Sequence, residues 1–232
     1  MNQSERNKTI LRKYIPEAAV DTLAEWIYKF NFKLKIKKSR SSKEGDYTPP
    51  HSGKNHVITI NHDLNKYAFL ITLIHEIAHL VTWEKYKGKV HPVKPSRTFH
   101  RINPHGKEWK CEYKNLLNVF LSDSSPLGRL GGAAIFPPEI HSALHRHIQN
   151  PSAASCSDLH LSRVLKKYDA NSNALSLERI SIGSTFRISH EKTKHSSEVF
   201  IKGEKRRTRY KCIHARTKRE YFIHALCKVE LI

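Results

Sequence analysis

The chain has 232 residues, and its 41 Lys and Arg outnumber 21 Asp and Glu to give a formal net charge of +20 at pH 7. This excess favours polyanionic partners such as DNA or RNA over a membrane surface. Residues 1–10 lack the apolar core of a signal peptide, and no apolar run reaches the ~20 residues of a membrane span. The four cysteines are too scattered for a disulfide framework. Composition therefore predicts a soluble, cytoplasmic protein with one main domain and a smaller one.

The first part of the chain is predicted to form two helices and two strands. Helices are expected over 4–14 and over 16–30, where apolar residues recur at helical spacing. Alternating apolar and basic residues over 32–37 predict a half-buried strand, and 56–61 predicts a second one. The stretch between them, 41–55, contains two Gly and two Pro and is predicted to be an irregular loop.

The next predicted helix contains the pattern His75-Glu76-Ile77-Ala78-His79 within an otherwise apolar segment. Residues four apart on a helix point the same way, so the two imidazoles can hold one Zn²⁺ between them. Glu76 would then project beside the metal, where it can take a proton from a metal-held water. A Glu in so apolar a helix is costly unless a cation lies beside it. The alternative is a pair of core histidines bonded to backbone, with Glu76 at the surface.

A catalytic zinc site usually takes three protein ligands and leaves one position open. The third ligand has several candidates downstream, and the most interpretable is His105, which is followed by Gly106 at the start of a helix predicted over 104–121. Glycine lets the backbone turn tightly beside a metal, and the following helix would fix the imidazole. The remaining candidates are His91, His100 and Glu108.

The helix with His75, Glu76 and His79, followed downstream by His105-Gly106-Lys107-Glu108-Trp109, resembles the SprT-like metalloprotease family. The overall character of the sequence is most similar to that of bacterial members. The resemblance spans roughly residues 16–121. It implies an α+β, zincin-like fold with helices packed on a small sheet and the paired histidines on a central helix. It also implies a zinc metalloendopeptidase with Zn²⁺ bound by His75, His79 and His105, and with Glu76 as the base.

The chain departs from the family pattern in two places. The connection from His79 to His105 is longer than is typical, and it forms a basic insert from Lys85 to Arg101. His91 and His100 in this insert stay open as ligands, and Glu108 as a ligand would instead give a gluzincin-like site. Where many members have a C-terminal zinc ribbon, this chain has four residues at unusual spacing, interpreted as a degenerate ribbon or as packed strand residues: Cys212, His214, His224 and Cys227.

We expect three segments: a metallopeptidase domain over 1–121, a linker with a helical extension over 122–170, and a small basic β-rich module over 171–232. Within the extension, Pro and capping residues predict helices at 138–149 and 158–168. The module is predicted to be a small barrel or curled sheet of four strands. These strands are expected at 184–189, 198–202, 208–215 and 220–231.

The basic run 202–211 in this module is a candidate nucleic-acid contact, in particular at Lys205, Arg206, Arg207 and Arg209. Aromatic rings near the run could stack on bases. The alternative is a solvated β-turn beside core aromatics. The rings concerned are Phe200, Tyr221 and Phe222.

The sequence therefore supports two hypotheses of function. The first is a zinc peptidase that cleaves nucleic-acid-associated proteins, with substrate extended along strand 56–61 as an edge strand. The second is a nucleic-acid-binding protein without proteolytic activity, in which the metal site is structural or idle. An intact Glu76 favours the first hypothesis, because a structural site needs no base. Candidate oxyanion donors are Tyr86, Tyr113 and His100.

Overall fold

The computed structural model describes residues 2–40, 43–87, 103–121, 135–151, 158–170, 172–189 and 197–232. The chain divides into two compact units, Met1–Ser155 and Cys156–Ile232. Six helices and two sheets in the described residues make it a mixed α+β protein. None of the described helices is long and apolar enough to cross a membrane. The functional labels given to the three predicted segments stay predictions.

The first unit begins with two helices and a three-stranded sheet. Helix α1 (Gln3–Tyr14) is followed by a 3-10 turn (Glu17–Ala19) and by helix α2 (Val20–Lys29). Strand β1 (Phe32–Lys37) pairs in parallel with β3 (His56–Asn61), as expected of strands at these two positions. The predicted helices and strands in this part of the chain are therefore confirmed, with the second helix starting four residues late.

The prediction that 41–55 is entirely irregular is wrong. Residues Gly45–Thr48 form strand β2, which pairs antiparallel with β3 so that Tyr47 lies opposite Ile58. Pairing satisfies the β2 backbone groups that face β3, although the sequence of β2 has no apolar alternation. The sheet order is β1-β3-β2. Strand β3 is therefore central, which also corrects its predicted role as an edge strand, and β2 lies at the edge.

Helix α3 (Lys66–Tyr86) follows the sheet and is the most buried helix of the first unit. The Asn65 side chain begins it by accepting hydrogen bonds from the backbone N–H groups of Tyr67 and Ala68. Helix α4 (Lys107–Leu121) packs against α3, and the Lys85 Nζ atom lies 2.8 Å from the Glu112 carboxylate to join them. Helix α5 (Pro138–His147) completes the described helices of this unit.

The second unit contains helix α6 (Leu159–Lys166), a 3-10 turn (Leu177–Arg179) and one antiparallel sheet. Its strands, in the spatial order β7-β6-β5-β4-β8, are β4 (Thr185–Ile188), β5 (Val199–Arg206), β6 (Arg209–His214), β7 (Glu220–His224) and β8 (Val229–Leu231). The predicted single strand at 220–231 is wrong, because the chain turns after His224 and β8 pairs with β4 instead. The sheet thus has five strands, and one of its faces is buried around Phe186 and Phe200.

Candidate metal centre

Three imidazoles converge in the first unit. His75 and His79 project from the same side of α3, and His105 lies two residues before α4. The three Nε2 atoms are 3.3 Å apart between His75 and His79, 3.0 Å between His79 and His105, and 3.2 Å between His75 and His105. Nitrogens bound tetrahedrally to zinc at its usual bond length lie about 3.3–3.4 Å apart. This cluster can therefore hold one metal ion.

The surroundings keep these imidazoles in the neutral form that binds a metal. Burial lowers the pKa of His75 to about 2, and the neighbouring His79 and His105 act in the same direction. Burial and His105 also lower the pKa of His79 to about 4, and burial lowers that of His105. Three neutral rings with convergent nitrogens cannot all donate hydrogen bonds to one another, whereas a cation accepts all three lone pairs. The donor set thus fits a divalent metal.

Trp109 forms one wall of the cluster. Its ring centroid lies 4.6, 5.4 and 4.8 Å from those of His75, His79 and His105. It is completely buried, and its other neighbour is Tyr113, which stacks on it at 5.0 Å. In the sequence, Trp109 is identifiable only as the aromatic residue that follows the His105-Gly106 pair. No residue spacing predicts that its ring contacts all three imidazoles. The ring restricts the orientation of the three imidazoles and excludes water from one side.

Glu76 is also buried, with 7% of its surface exposed, on the helix that provides two of the histidines. Burial raises its pKa to about 8, and the Asp46 carboxylate adds to this effect. The positive charges of Lys43 and Arg40 and the nearby Tyr47 backbone N–H lower it. A buried carboxyl with a raised pKa beside convergent ligands is typical of a catalytic acid or base.

The edge strand β2 runs directly past Glu76. A Cβ added to Gly45 would lie 2.6 Å from the Glu76 Oε1 atom, so only glycine fits there without displacement. The Asn61 N–H donates to the Glu44 carbonyl, and bonded pairs alternate along an antiparallel ladder. Gly45 and Tyr47 must therefore turn their backbone N–H and C=O groups away from β3. One of these groups, the Tyr47 N–H, lies close enough to Glu76 to lower the pKa of its carboxyl group.

Two polar atoms near the centre are buried without a hydrogen-bond partner among the described residues. They are the Thr72 Oγ1 atom, one turn before Glu76, and the Trp109 Nε1 atom. Native interiors leave few polar atoms unpaired, and those that remain concentrate at functional sites. They belong to residues beside the buried Glu76 and the three imidazoles, which supports a functional interpretation of this region.

The structure also locates the other candidates for this site. Glu108 lies in the first turn of α4, and its carboxylate is not part of the three-histidine cluster. His91 and His100 lie outside the described residues. Tyr113 is 1% exposed beneath Trp109, so it is unavailable to a substrate as an oxyanion donor. Tyr86 is the last residue of α3, two turns beyond His79.

The four Cys and His residues of the second unit form no metal group among the described residues. The His214 Nδ1 atom accepts backbone N–H groups from Arg216 and Thr217, and the His224 Nδ1 atom accepts that of Leu226. Cys212 is fully buried in the core of the sheet. Local turns and packing therefore account for the positions of these residues, as one of the two interpretations of the sequence expected.

The predicted nucleic-acid contacts lie together on the hairpin of β5 and β6. Lys205, Arg206, Arg207 and Arg209 are all exposed. Lys202, in contrast, is 3% exposed, and its Nζ atom donates to the Ile180 carbonyl at 2.6 Å. Of the three candidate stacking rings, Phe200 is buried and Tyr221 packs on the core, which removes both. Phe222 is 52% exposed and can stack on a ligand.

The cluster in the first unit combines three neutral nitrogen donors, a buried carboxyl group and outward backbone groups on an adjacent edge strand. These are the components that metal-assisted hydrolysis of an extended chain requires. Comparisons with protein-family models, with curated proteins and with solved structures find no match to this chain. What can be concluded about its function therefore depends on the geometry of its own residues.

Proposed function

We propose that the chain is a zinc-dependent peptidase and that its first unit contains the catalytic site. The observation that carries this proposal is the convergence of three Nε2 atoms at 3.0–3.3 Å, with Glu76 buried on the same helix. Zinc suits this site because imidazole nitrogens in a tetrahedral arrangement, with one position left open, are its usual catalytic ligands. Bound Zn²⁺ would polarise a scissile carbonyl and acidify a coordinated water.

Each residue of the site has a separate task in this proposal. His75, His79 and His105 hold the metal, and the Trp109 ring restricts their orientation. Glu76 takes the proton from the attacking water and passes it to the leaving amine. Its carboxylate is confined by strand β2, which approaches it at Gly45.

The substrate would bind as an extended strand beside β2. The backbone N–H and C=O groups of Gly45, together with the Tyr47 carbonyl, point away from β3 and can pair with a peptide backbone. Recognition of this kind reads the backbone more than the side chains, so we expect broad sequence tolerance. Because β2 passes Glu76 at Gly45, a peptide bound there lies next to the base.

Substitution of Glu76 by Gln tests the proposal. The amide keeps the shape of the side chain but cannot act as a base, so cleavage of a denatured fluorogenic protein substrate should fall at least about 1,000-fold. Zinc content should stay at the wild-type level. His62→Gln, at an exposed histidine after β3, is the matched control and should cleave normally. Undiminished cleavage by Glu76→Gln would exclude Glu76 as the base.

A second candidate function, nucleic-acid binding by the second unit, is favoured by one surface. Alternate residues of β6 and β7 face away from the core, and Lys211 lies opposite Phe222 in the register. We define the outer face of the sheet as Arg209, Lys211, Ile213 and Phe222. The Arg209 guanidinium donates to the Phe222 carbonyl at 3.4 Å, which places a positive charge beside the exposed ring.

This outer face adjoins the exposed positive charges at Lys205, Arg206 and Arg207. None of these three has an ion-pair partner within the described ranges. Backbone phosphates paired with these cations and a base stacked on Phe222 would suit a single strand, because a duplex keeps its bases stacked inside. A peptidase with this module would be directed to proteins that are bound to DNA or RNA.

A further inference from the structure

Three side chains from separate segments form a hydrogen-bonded chain at the far end of β2. The Tyr47 hydroxyl lies 2.9 Å from the His56 Nδ1 atom, and the His56 Nε2 atom lies 3.0 Å from the Glu84 Oε1 atom. Tyr47 belongs to β2, His56 begins β3, and Glu84 lies in the last turn of α3. With the Tyr47 hydroxyl as donor to Nδ1, the proton of the neutral ring is on Nε2 and is donated to Glu84.

Neighbouring side chains hold Tyr47, His56 and Glu84 in one geometry. His56 is 8% exposed, and its ring stacks on Tyr47 at 5.8 Å and contacts the edge of Trp83 at 5.4 Å. The Lys87 Nζ atom lies 2.6 Å from the Glu84 Oε1 atom. Burial raises the pKa of Tyr47 above its usual value, so the phenol keeps the proton that it donates. The imidazole therefore has a fixed tautomer and two partners.

Tyr47 links these three hydrogen-bonded side chains to the candidate metal centre. Its side chain is bound by His56, and Gly45, two residues before it on β2, lies directly against the Glu76 carboxyl group. Glu84 lies in the last turn of α3, eight residues after Glu76 on the same helix. Strand β2 is only four residues long and pairs with a single neighbour, so few other interactions determine its position against α3.

We infer that Tyr47, His56 and Glu84 form a positioning relay that holds β2 against α3 and so fixes the position of β2 beside Glu76. The catalytic consequence rests on the proposed peptidase function, whereas the effect on β2 does not. None of the three is a catalytic residue, because they act on the substrate only through β2 and Glu76. The relay sets both the orientation of the base and the path of a strand bound beside β2.

The variants that test the relay change His56 in two ways. His56→Leu removes both hydrogen bonds while keeping a similar volume, whereas His56→Gln can accept from Tyr47 and donate to Glu84. Tyr47→Phe removes only the hydroxyl group. Its matched control is Tyr28→Phe, which removes the hydroxyl of a tyrosine that is 88% exposed. Zinc content is measured for every variant.

Two readouts separate the relay from the peptidase proposal. In hydrogen exchange of the metal-free protein, His56→Leu and Tyr47→Phe should speed exchange of the Asp46 and Thr48 amides, which face β3, by about tenfold and leave β1 unchanged. In peptide cleavage, they should lower kcat by about tenfold at normal zinc content, with a smaller change in KM. His56→Gln should restore most of both properties, and Tyr28→Phe should match the wild type.

Wild-type exchange at β2 in His56→Leu and Tyr47→Phe would overturn the relay. An equal defect in His56→Gln and His56→Leu would also overturn it, because packing of the ring would then explain the effect. Faster exchange at β2 with an unchanged kcat would remove its catalytic role. If the wild type cleaves no peptide, the peptidase proposal fails, whereas the exchange data still decide whether the relay holds β2.

Discussion

Gly45 lies so close to Glu76 that a Cβ atom at residue 45 would be 2.6 Å from the Glu76 Oε1 atom and 2.7 Å from the Thr72 Cγ2 atom. Contacts this short require one of the partners to move. The buried helix α3 leaves little room for such a movement, because protein interiors are close-packed. The distance between the edge strand and the base is therefore set by the absence of a single side chain.

Gly45→Ala should destabilise the protein by about 1–3 kcal/mol and lower cleavage by at least about tenfold, because the new methyl group displaces either Glu76 or β2. The free energy of unfolding and kcat measure these effects, and zinc content should be unchanged. In a Glu76→Ala background, the same substitution should cost less, since part of the clash is gone. An identical cost in both backgrounds would show that the methyl group is accommodated elsewhere.

Loss of any one imidazole should strip the metal from the first unit. His75→Ala, His79→Ala and His105→Ala should each lower bound zinc from about one ion per chain to a small fraction, as measured by elemental analysis after dialysis. Glu76→Gln should retain the ion, because it is not a ligand in this cluster. Full occupancy in His105→Ala, with loss in His91→Ala or His100→Ala, would assign the third ligand to the basic insert.

The stability of the metal-free protein should be highest near pH 6.5. Burial raises the pKa of Glu76 from 4.5 to about 8, so the folded state binds more protons than the unfolded chain in this window. The contribution of Glu76 to stability should thus decrease as pH rises from 4.5 to 8, by up to about 5 kcal/mol in all. Burial lowers the pKa of His75 from 6.5 to about 2 and that of His79 from 6.5 to about 4, so their contributions decrease as pH falls below 6.5. Between pH 4.5 and 6.5 these two histidines outweigh the opposing contribution of Glu76, so stability should decrease on both sides of pH 6.5.

Urea denaturation in the presence of a chelator measures this profile. Glu76→Gln should remove the loss of stability on the alkaline side and keep the loss on the acidic side. Saturating Zn²⁺ should also remove the alkaline loss, because a neighbouring cation favours the carboxylate. An unchanged alkaline slope in Glu76→Gln would assign that loss to another group.

Nucleic-acid affinity should fall steeply as salt rises, with little dependence on base sequence, because phosphate contacts release counterions. Replacing Lys205, Arg206, Arg207 and Arg209 with Ser should weaken binding to all sequences and flatten the salt dependence. Phe222→Ala should weaken binding to single strands by about tenfold and affect duplex binding less. Fluorescence anisotropy with labelled single-stranded and duplex DNA and RNA measures each effect.

Two results would change the assignment of the nucleic-acid contact surface to the second unit. Tight binding by the quadruple variant would move the contact surface to the basic insert from Lys85 to Arg101. Absence of binding by the wild type even at low salt would remove nucleic acid as a partner. If nucleic acid also recruits or stimulates the peptidase, the quadruple variant should lose stimulated cleavage while it keeps its zinc.

Some elements were predictable from sequence because their signals are local. The apolar periodicity of α3 and the alternation in β1 determine these elements with little help from distant residues. The pairing of His75 with His79 follows directly from helix geometry. The mixed α+β character is confirmed, and the structure brings His75, His79 and His105 together. The choice of His105 among several candidates depended on the His105-Gly106 pair and on the family resemblance, not on a local helical signal.

Other features depend on contacts between distant segments and had no local signal. Strand β2 has no apolar alternation, because it is an edge strand whose position depends on β3 and α3. The hydrogen bonds between Tyr47, His56 and Glu84 join three separate elements. The spacing of these residues in the sequence does not predict them. The turn between β7 and β8 was missed because both flanking stretches favour strands.

The third imidazole is held in place by packing between helices and not by the length of chain that precedes it. The Lys85–Glu112 contact and the position of Trp109 against His75 fix α4, and with it His105, on α3. Doubling the length of a connecting segment costs only about 0.6 kcal/mol in closure entropy. Insertions or deletions between α3 and α4 can therefore accumulate without moving the ligand. The connection between the end of α3 at Tyr86 and the start of α4 at Lys107 is compatible with an intact centre for that reason.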